Sequence, residues 1–228
     1  RQTIHFNRTV ADPIKAEIFA NKDFRIGMSH AIDREEIIEI VYDGQGVPAQ
    51  LGPVESSPLY NERLANQYIE YDLDKANEYL DKVLPEKDSK GFRLGPYGKR
   101  FSFVLTVSND LGYGTTRVPV GELLVHYWEA VDIEVQMNSV PDVQFVQYKK
   151  DNELECTLLT GEGGAGLTAI MDPRYYVPTM YPGVFGNGWW AWRTNAVDSV
   201  HVEPPQYIKD LYAKFEKEVL QASSPEQR

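Results

Sequence analysis

A single cysteine, Cys156, leaves nothing for an intramolecular disulfide to join, so no cross-linked framework holds this chain and its redox compartment is unmarked. Positive charge is also scarce. Lys and Arg number 23 against 34 Asp and Glu, a net charge of −11, and no basic patch appears. That balance argues against nucleic acid and anionic membrane surfaces as partners. No apolar run approaches the length of a membrane helix. The four histidines, His5, His30, His126 and His201, stand singly without an HxxxH or HxH pair, so neither a zinc site nor any other metal site is expected. Glu35, Glu36 and Glu39 read as a solvated helix face. No GxSxG or Cys-His signature, internal repeat or low-complexity segment is present.

What is present is enough to fold. At 42% hydrophobic, the 228 residues can bury a real core and fall outside the disordered range. Residue 1 is Arg and leads at once into an alternating pattern, while the last residues stop just after a helical one. The chain therefore reads as a piece of a longer one, and a missing targeting segment carries no information.

The period of the apolar residues sets the elements. Residues 3–9 alternate weakly and predict a strand. Asp12-Pro13 is an N-cap and N1 pair that opens a helix, a second helical segment covers 24–32, and Asp33 caps a third. Residues 44–64 hold three prolines and no period, and predict a surface loop. Leu73, Ala76, Leu80 and Val83 fall at helical spacing. Residues 100–108 form the clearest strand, and Val120, Leu123, Leu124, Tyr127, Trp128 and Val131 the clearest helical stripe. Ile133, Val135 and Met137 alternate again. Val143, Val146 and Tyr148 mark a short helix, and Leu154, Cys156 and Leu158 a further strand. Pro204-Pro205 opens a last helix carrying Ile208, Leu211, Tyr212, Phe215 and Val219. Strand, helix, strand, helix, strand over 101–160 predicts a βαβαβ core: an α/β fold with a mostly parallel sheet, right-handed crossovers and flanking helices. Residues 1–98 read as its helical and loop-rich part and 99–228 as the βαβαβ part.

In such sheets ligands bind beyond the carboxyl ends of the strands. Gly161 stands at such an end and begins a stretch, to Arg193, dense in Gly, Trp and Tyr. Glycine lets backbone approach a ligand, and aromatic rings offer flat apolar faces with polar handles. Gly161, Gly163 and Gly166 spell GxGxxG, but Pro173 stops any helix within two turns and no acid follows about 20 residues on, so no nucleotide or other cofactor is expected. Glu162 and Asp172 beside aromatic rings leave a glycosidase pair as an alternative. Asn7-Arg8-Thr9 fits the glycosylation triplet.

Three segments resemble one family. FRIGMSHAIDREEIIEIVYDGQGVPA, through Arg25, Ala31, Ile32, Asp33, Arg34, Gly44, Pro48 and Ala49, is similar to the "AIDR" helix pair and Pro-rich loop of the dipeptide/oligopeptide-type (family 5) solute-binding proteins of ABC importers. YDLDKANEYLDKV, through Tyr71, Asp72, Lys75, Ala76 and Leu80, resembles the helix that follows, and Asp172-Pro173 the "DP" after the ligand loop. The resemblance implies a periplasmic-binding-protein-like, Venus-flytrap fold, with residues 1–228 most of its second, C-terminal lobe and the first lobe absent. It also implies an extracytoplasmic binder, not an enzyme, that delivers its solute to a membrane permease.

Peptide-binding members carry an Asp about three residues before the "DP", where this sequence has Ala169. An ammonium group would meet no counter-charge there, and burying it unpaired is costly. DPRYYVP, GNGWWAWR and a later EPP look like the oligosaccharide-binding branch instead. The expected solute is thus an oligosaccharide, with a di- or oligopeptide as the alternative. The expected ligand-binding residues are Glu162, Gly163, Gly164, Tyr175, Tyr176, Asn187, Trp189, Trp190, Trp192 and Arg193, with at least one Trp in the core. A lone lobe would leave its cleft-facing aromatics bare, so self-association of the fragment is expected.

Overall fold

Each early helix begins where a short polar side chain can satisfy free N–H groups. In the computed structural model, which describes residues 2–110, 114–161, 174, 176–179 and 184–221, Asp12 caps α1 (Pro13–Ala20) and Asn21 caps α2 (Lys22–His30). Asp33 caps α3 (Arg34–Tyr42), Asn61 caps α4 (Glu62–Asn66) and Asp72 caps α5 (Leu73–Asp81). α3 ends on Asp43, whose φ of 50° lies in the left-handed region that ends many helices.

The sheet has four strands in the order β1-β4-β2-β3: β1 (Gln2–Phe6), β2 (Ser102–Ser108), β3 (Glu134–Val140) and β4 (Cys156–Thr160). β2 is parallel to both β3 and β4, as alternation with intervening helices predicts. β1 is antiparallel to β4, with Gln2 opposite Thr160. The crossovers are α6 (Gly114–Glu129) and α7 (Asp142–Lys150), and α6 packs on β2 and β3 with α3 on its flank.

The main core lies on this face of the sheet. Phe6, Phe19, Phe24, Phe101, Phe103 and Trp128 meet mostly edge-on or tilted, with centroids from 5.3 to 6.2 Å apart, the arrangement that ring quadrupoles favour. α2 lies so close to α5 that a Cβ on Gly27 would stand 2.7 Å from Leu80 Cγ and 2.9 Å from the Ala76 carbonyl oxygen. Arg93, fully buried, donates to the carbonyls of Val131 and Leu84, to Asp81 and to Asn77. One guanidinium thereby joins the end of α5 to the end of α6.

Two expectations change. In α7 the buried residue is Phe145, while Val143 is 84% exposed and Val146 is also exposed. Short helices with apolar residues on two sides do not declare by period which side packs. The stretch running to Arg193, for which the period indicated no element, contains α8 (Asn187–Thr194), and the helix expected after Pro204-Pro205 follows as α9 (Gln206–Phe215). α9 passes into a wider turn over Glu216–Leu220 that carries Val219.

The glycosylation triplet is spent on packing. Asn7 is 1% exposed; its amide donates to Asn152 Oδ1 and the Leu154 carbonyl, and its oxygen accepts from Thr9. The Thr9 hydroxyl in turn accepts from the Gly188 backbone N–H. Buried polar groups satisfied this fully hold segments in register.

Candidate functional site

Parallel strands bring their carboxyl ends to one edge, and β1 begins at that same edge because it runs the other way. Gln2 Nε2 donates to Thr116 Oγ1 in the first turn of α6 at 2.5 Å, and Arg117 Nη2 to Thr160 Oγ1 at 3.3 Å. Burial raises the Tyr42 phenol, and a hydrogen bond with Thr116 partly offsets it. At the ends of β2 and β3, Asp142 accepts from the Ser108 hydroxyl while its backbone N–H donates to Asp110.

Positive groups gather behind this edge. Burial pushes the Lys149 ammonium down to about 8, helped by repulsion from Arg174 and Arg117. His5, on β1, is pushed down to about 4 by burial and by Lys149.

Gly161, where β4 gives way to the glycine-rich stretch, has no room for a side chain: a Cβ would stand 2.6 Å from Thr3 Cγ2 and 3.4 Å from Leu51 Cδ1. Glu162, Gly163, Gly164 and Tyr175 lie outside the described residues. Of the remaining expected residues, Trp189 is 4% exposed and packs with Val177, Ile208 and Tyr212. It thus meets the expectation of a core tryptophan. Asn187 is buried and donates to the Lys149 carbonyl at 2.8 Å. Trp190 is half-buried, Tyr176 is exposed, and Trp192 is 41% exposed with Lys209 Nζ 5.1 Å over its ring. Arg193 pairs with Glu216 and lies over the Tyr212 ring. Trp189, Trp190, Trp192 and Arg193 thus share one helix, in which Trp189 packs into the core while Trp192 stays partly open.

Sequence reasoning missed a cavity of about 720 Å³ between β1, α2, α3 and residues 45–51, its inner wall formed by α6. The loop over 44–64 walls this cavity in addition to covering surface. Its position depends on Arg34, the arginine of the AIDR stretch. Arg34 donates to the carbonyls of Ser29 (2.9 Å) and Ile69 (3.1 Å) and to Ser29 Oγ (2.7 Å). Ser29 Oγ also accepts from Gln50 Nε2 at 3.1 Å and donates to the Tyr68 carbonyl. Burial lowers the Arg34 guanidinium to about 10. The available signal was the run of Gln45, Gln50 and Gln67 around this arginine, which has no period to reveal it.

Residues 2–184 match the family described as bacterial extracellular solute-binding proteins, family 5 Middle. The chain belongs to this family. Among curated relatives, a periplasmic alpha-galactoside-binding protein from Rhizobium meliloti (strain 1021) is 30% identical over 133 residues, 56% of this chain and 19% of that protein. Of the solved structures, the oligopeptide-binding protein OppA superposes with a TM-score of 0.82 at 24% identity, covering 99% of this chain and 37% of its own. MelB from Agrobacterium fabrum C58, solved with stachyose, superposes with a TM-score of 0.71 at 17% identity, covering 100% and 34%. The family 5 chain thus shares its mixed α/β fold with both, and spans about a third of the length of these structures.

Proposed function

We propose that this chain is most of the C-terminal lobe of a two-lobe, extracytoplasmic solute-binding protein. The whole protein would capture an oligosaccharide and hand it to the permease of an ABC importer. The observation that carries the solute class is Ala169, standing where peptide-binding members place the acid for a free amino terminus. The identity to a protein named for α-galactosides supports the same reading.

The strand ends up to Gly161 form this lobe's wall of the cleft. Trp190, Trp192 and Tyr176 are its candidate sugar platforms, and Glu162 and Arg193 its candidate hydrogen-bonding groups, while Asn187, buried against the Lys149 carbonyl, supports them from within. Sugars present apolar ring faces and many hydroxyls, which suits aromatic rings with neutral or singly charged partners around them. The protein binds and releases without turnover. A thermal-shift screen of oligosaccharides and peptides on the two-lobe protein tests this, because a ligand that prefers the native state raises its melting temperature. An upshift with α-galactosides supports the proposal. An upshift with peptides alone assigns the site to peptide, and reducing ends appearing from the sugar would make the protein a glycosidase.

A further inference from the structure

The cavity beside β1 is a place for part of a ligand. Its volume of about 720 Å³ lies within the range of small-molecule pockets. Its floor is apolar, and polar side chains converge on it from different elements: Gln2 from β1, Gln45 and Gln50 from the loop, and Gln67 from the end of α4. Among the described residues neither Asp nor Glu lines it, whereas Lys22, Arg25 and Arg34 do, and the two guanidinium groups donate to backbone carbonyls of Phe19, Asn21, Ser29 and Ile69. An ammonium group would therefore find no counter-charge, and a wholly apolar ligand would leave the amides without new partners.

One amide is already short of a partner. Gln2 Nε2 is held by Thr116, while Gln2 Oε1 is out of contact with solvent and meets no donor among the described residues. A buried acceptor left unpaired costs free energy that an incoming hydroxyl would recover. The cavity also adjoins the candidate cleft, because Thr3 and Leu51, which close around Gly161, belong to its lining.

We propose that this cavity is a subsite for a neutral, polyhydroxylated group: one sugar unit of the oligosaccharide, with a hydroxyl donating to Gln2 Oε1. This rests on the reading of the protein as an oligosaccharide binder. The apolar floor takes the ring face and the glutamine amides take the hydroxyls, while Lys22, Arg25 and Arg34 in the lining select against an ammonium end.

The test is an NMR titration of the 228-residue chain with stachyose, following side-chain resonances of Gln2, Gln45, Ala49 and Trp192. The expected result is saturable shifts at Gln2, Gln45 and Ala49. Gln2→Met, which keeps the length but removes the acceptor, should weaken binding roughly three- to tenfold. Ala49→Trp, on the loop and away from the core, should abolish the shifts by filling the space. Shifts at Trp192 with none at the three cavity residues would overturn the subsite while leaving the sugar reading intact. So would unchanged affinity in both variants. Absence of any shift with stachyose, together with saturable shifts from trialanine, would overturn the sugar reading and the subsite with it.

Discussion

His5 illustrates how far a single residue can be removed from its solution behaviour. It is buried, shares a 2.8 Å hydrogen bond with Thr3 Oγ1 and lies near Lys149. Above its ordinary value of 6.5 the imidazole is neutral in both folded and unfolded chains, and the fold keeps its full stability. As pH falls from 6.5 toward its folded value of about 4, the unfolded chain takes a proton that the native state resists. Stability should then drop by up to about 3 kcal/mol. Urea unfolding from about pH 7 down to about pH 4 should show this fall, and His5→Gln should flatten it. An unchanged slope in the variant would remove His5 as the cause. The tryptophans of α8 divide in the same way. Trp189→Ala should cost about 3–5 kcal/mol of stability through the cavity it leaves. Trp192→Ala, at a half-open position, should cost little stability and should weaken oligosaccharide binding by about 1–2 kcal/mol, on the order of tenfold. Equal stability losses in the two would mean that the burial difference between them has no energetic consequence.

At the scale of elements, α2 and α5 make the sharpest prediction. Replacing a helical glycine by alanine ordinarily gains up to about 1 kcal/mol. At Gly27 the added methyl meets the Ala76 carbonyl at 2.9 Å and Leu80 at 2.7 Å. The backbone oxygen cannot turn aside, so the helices must part and the net effect should be a loss of about 1–3 kcal/mol. A melting temperature at or above that of the native sequence would contradict the close approach. Elements also show what periodicity can and cannot reveal. β2, β3, β4 and α6 were legible because alternation and a 3.6-residue stripe were long enough to leave one assignment. The caps Asp12 and Asp33 were legible because N-capping is a local interaction. The buried side of α7 was not, because Phe145 and Val143 are both apolar and only the neighbours Val140, Leu154 and Val184 select between them. Nor was α8, whose glycine and tryptophans are poor helix formers held by contacts to Thr9, Val177 and Ile208.

At the scale of the molecule, the proposed function has a consequence for the chain by itself. Two-lobe binders enclose the solute and gain affinity from closure. One lobe supplies about half the contacts, so a micromolar protein should be reduced to millimolar binding or weaker. Its bare cleft wall should also promote self-association that rises with concentration. Calorimetry with the same sugar on the lobe and on the two-lobe protein, with sedimentation of the lobe, checks both. Equal affinities would place a complete site within residues 1–228 and refute the two-lobe reading.

The sequence by itself determined the class of fold, the order of its elements, the family resemblance through Arg34 and its neighbours, and Ala169 as the departure bearing on the solute. Each of these depends on residues close together in the chain, where spacing and chemistry act directly. Only the tertiary structure decided that Asn7 is buried in a polar network, that Trp189 is core while Trp192 is open, and that Gln2 meets the 45–51 loop across a cavity. Those outcomes depend on segments far apart in sequence. Burial and hydrogen-bond satisfaction there are set by which surfaces the sheet and helices bring together, and no local pattern records that.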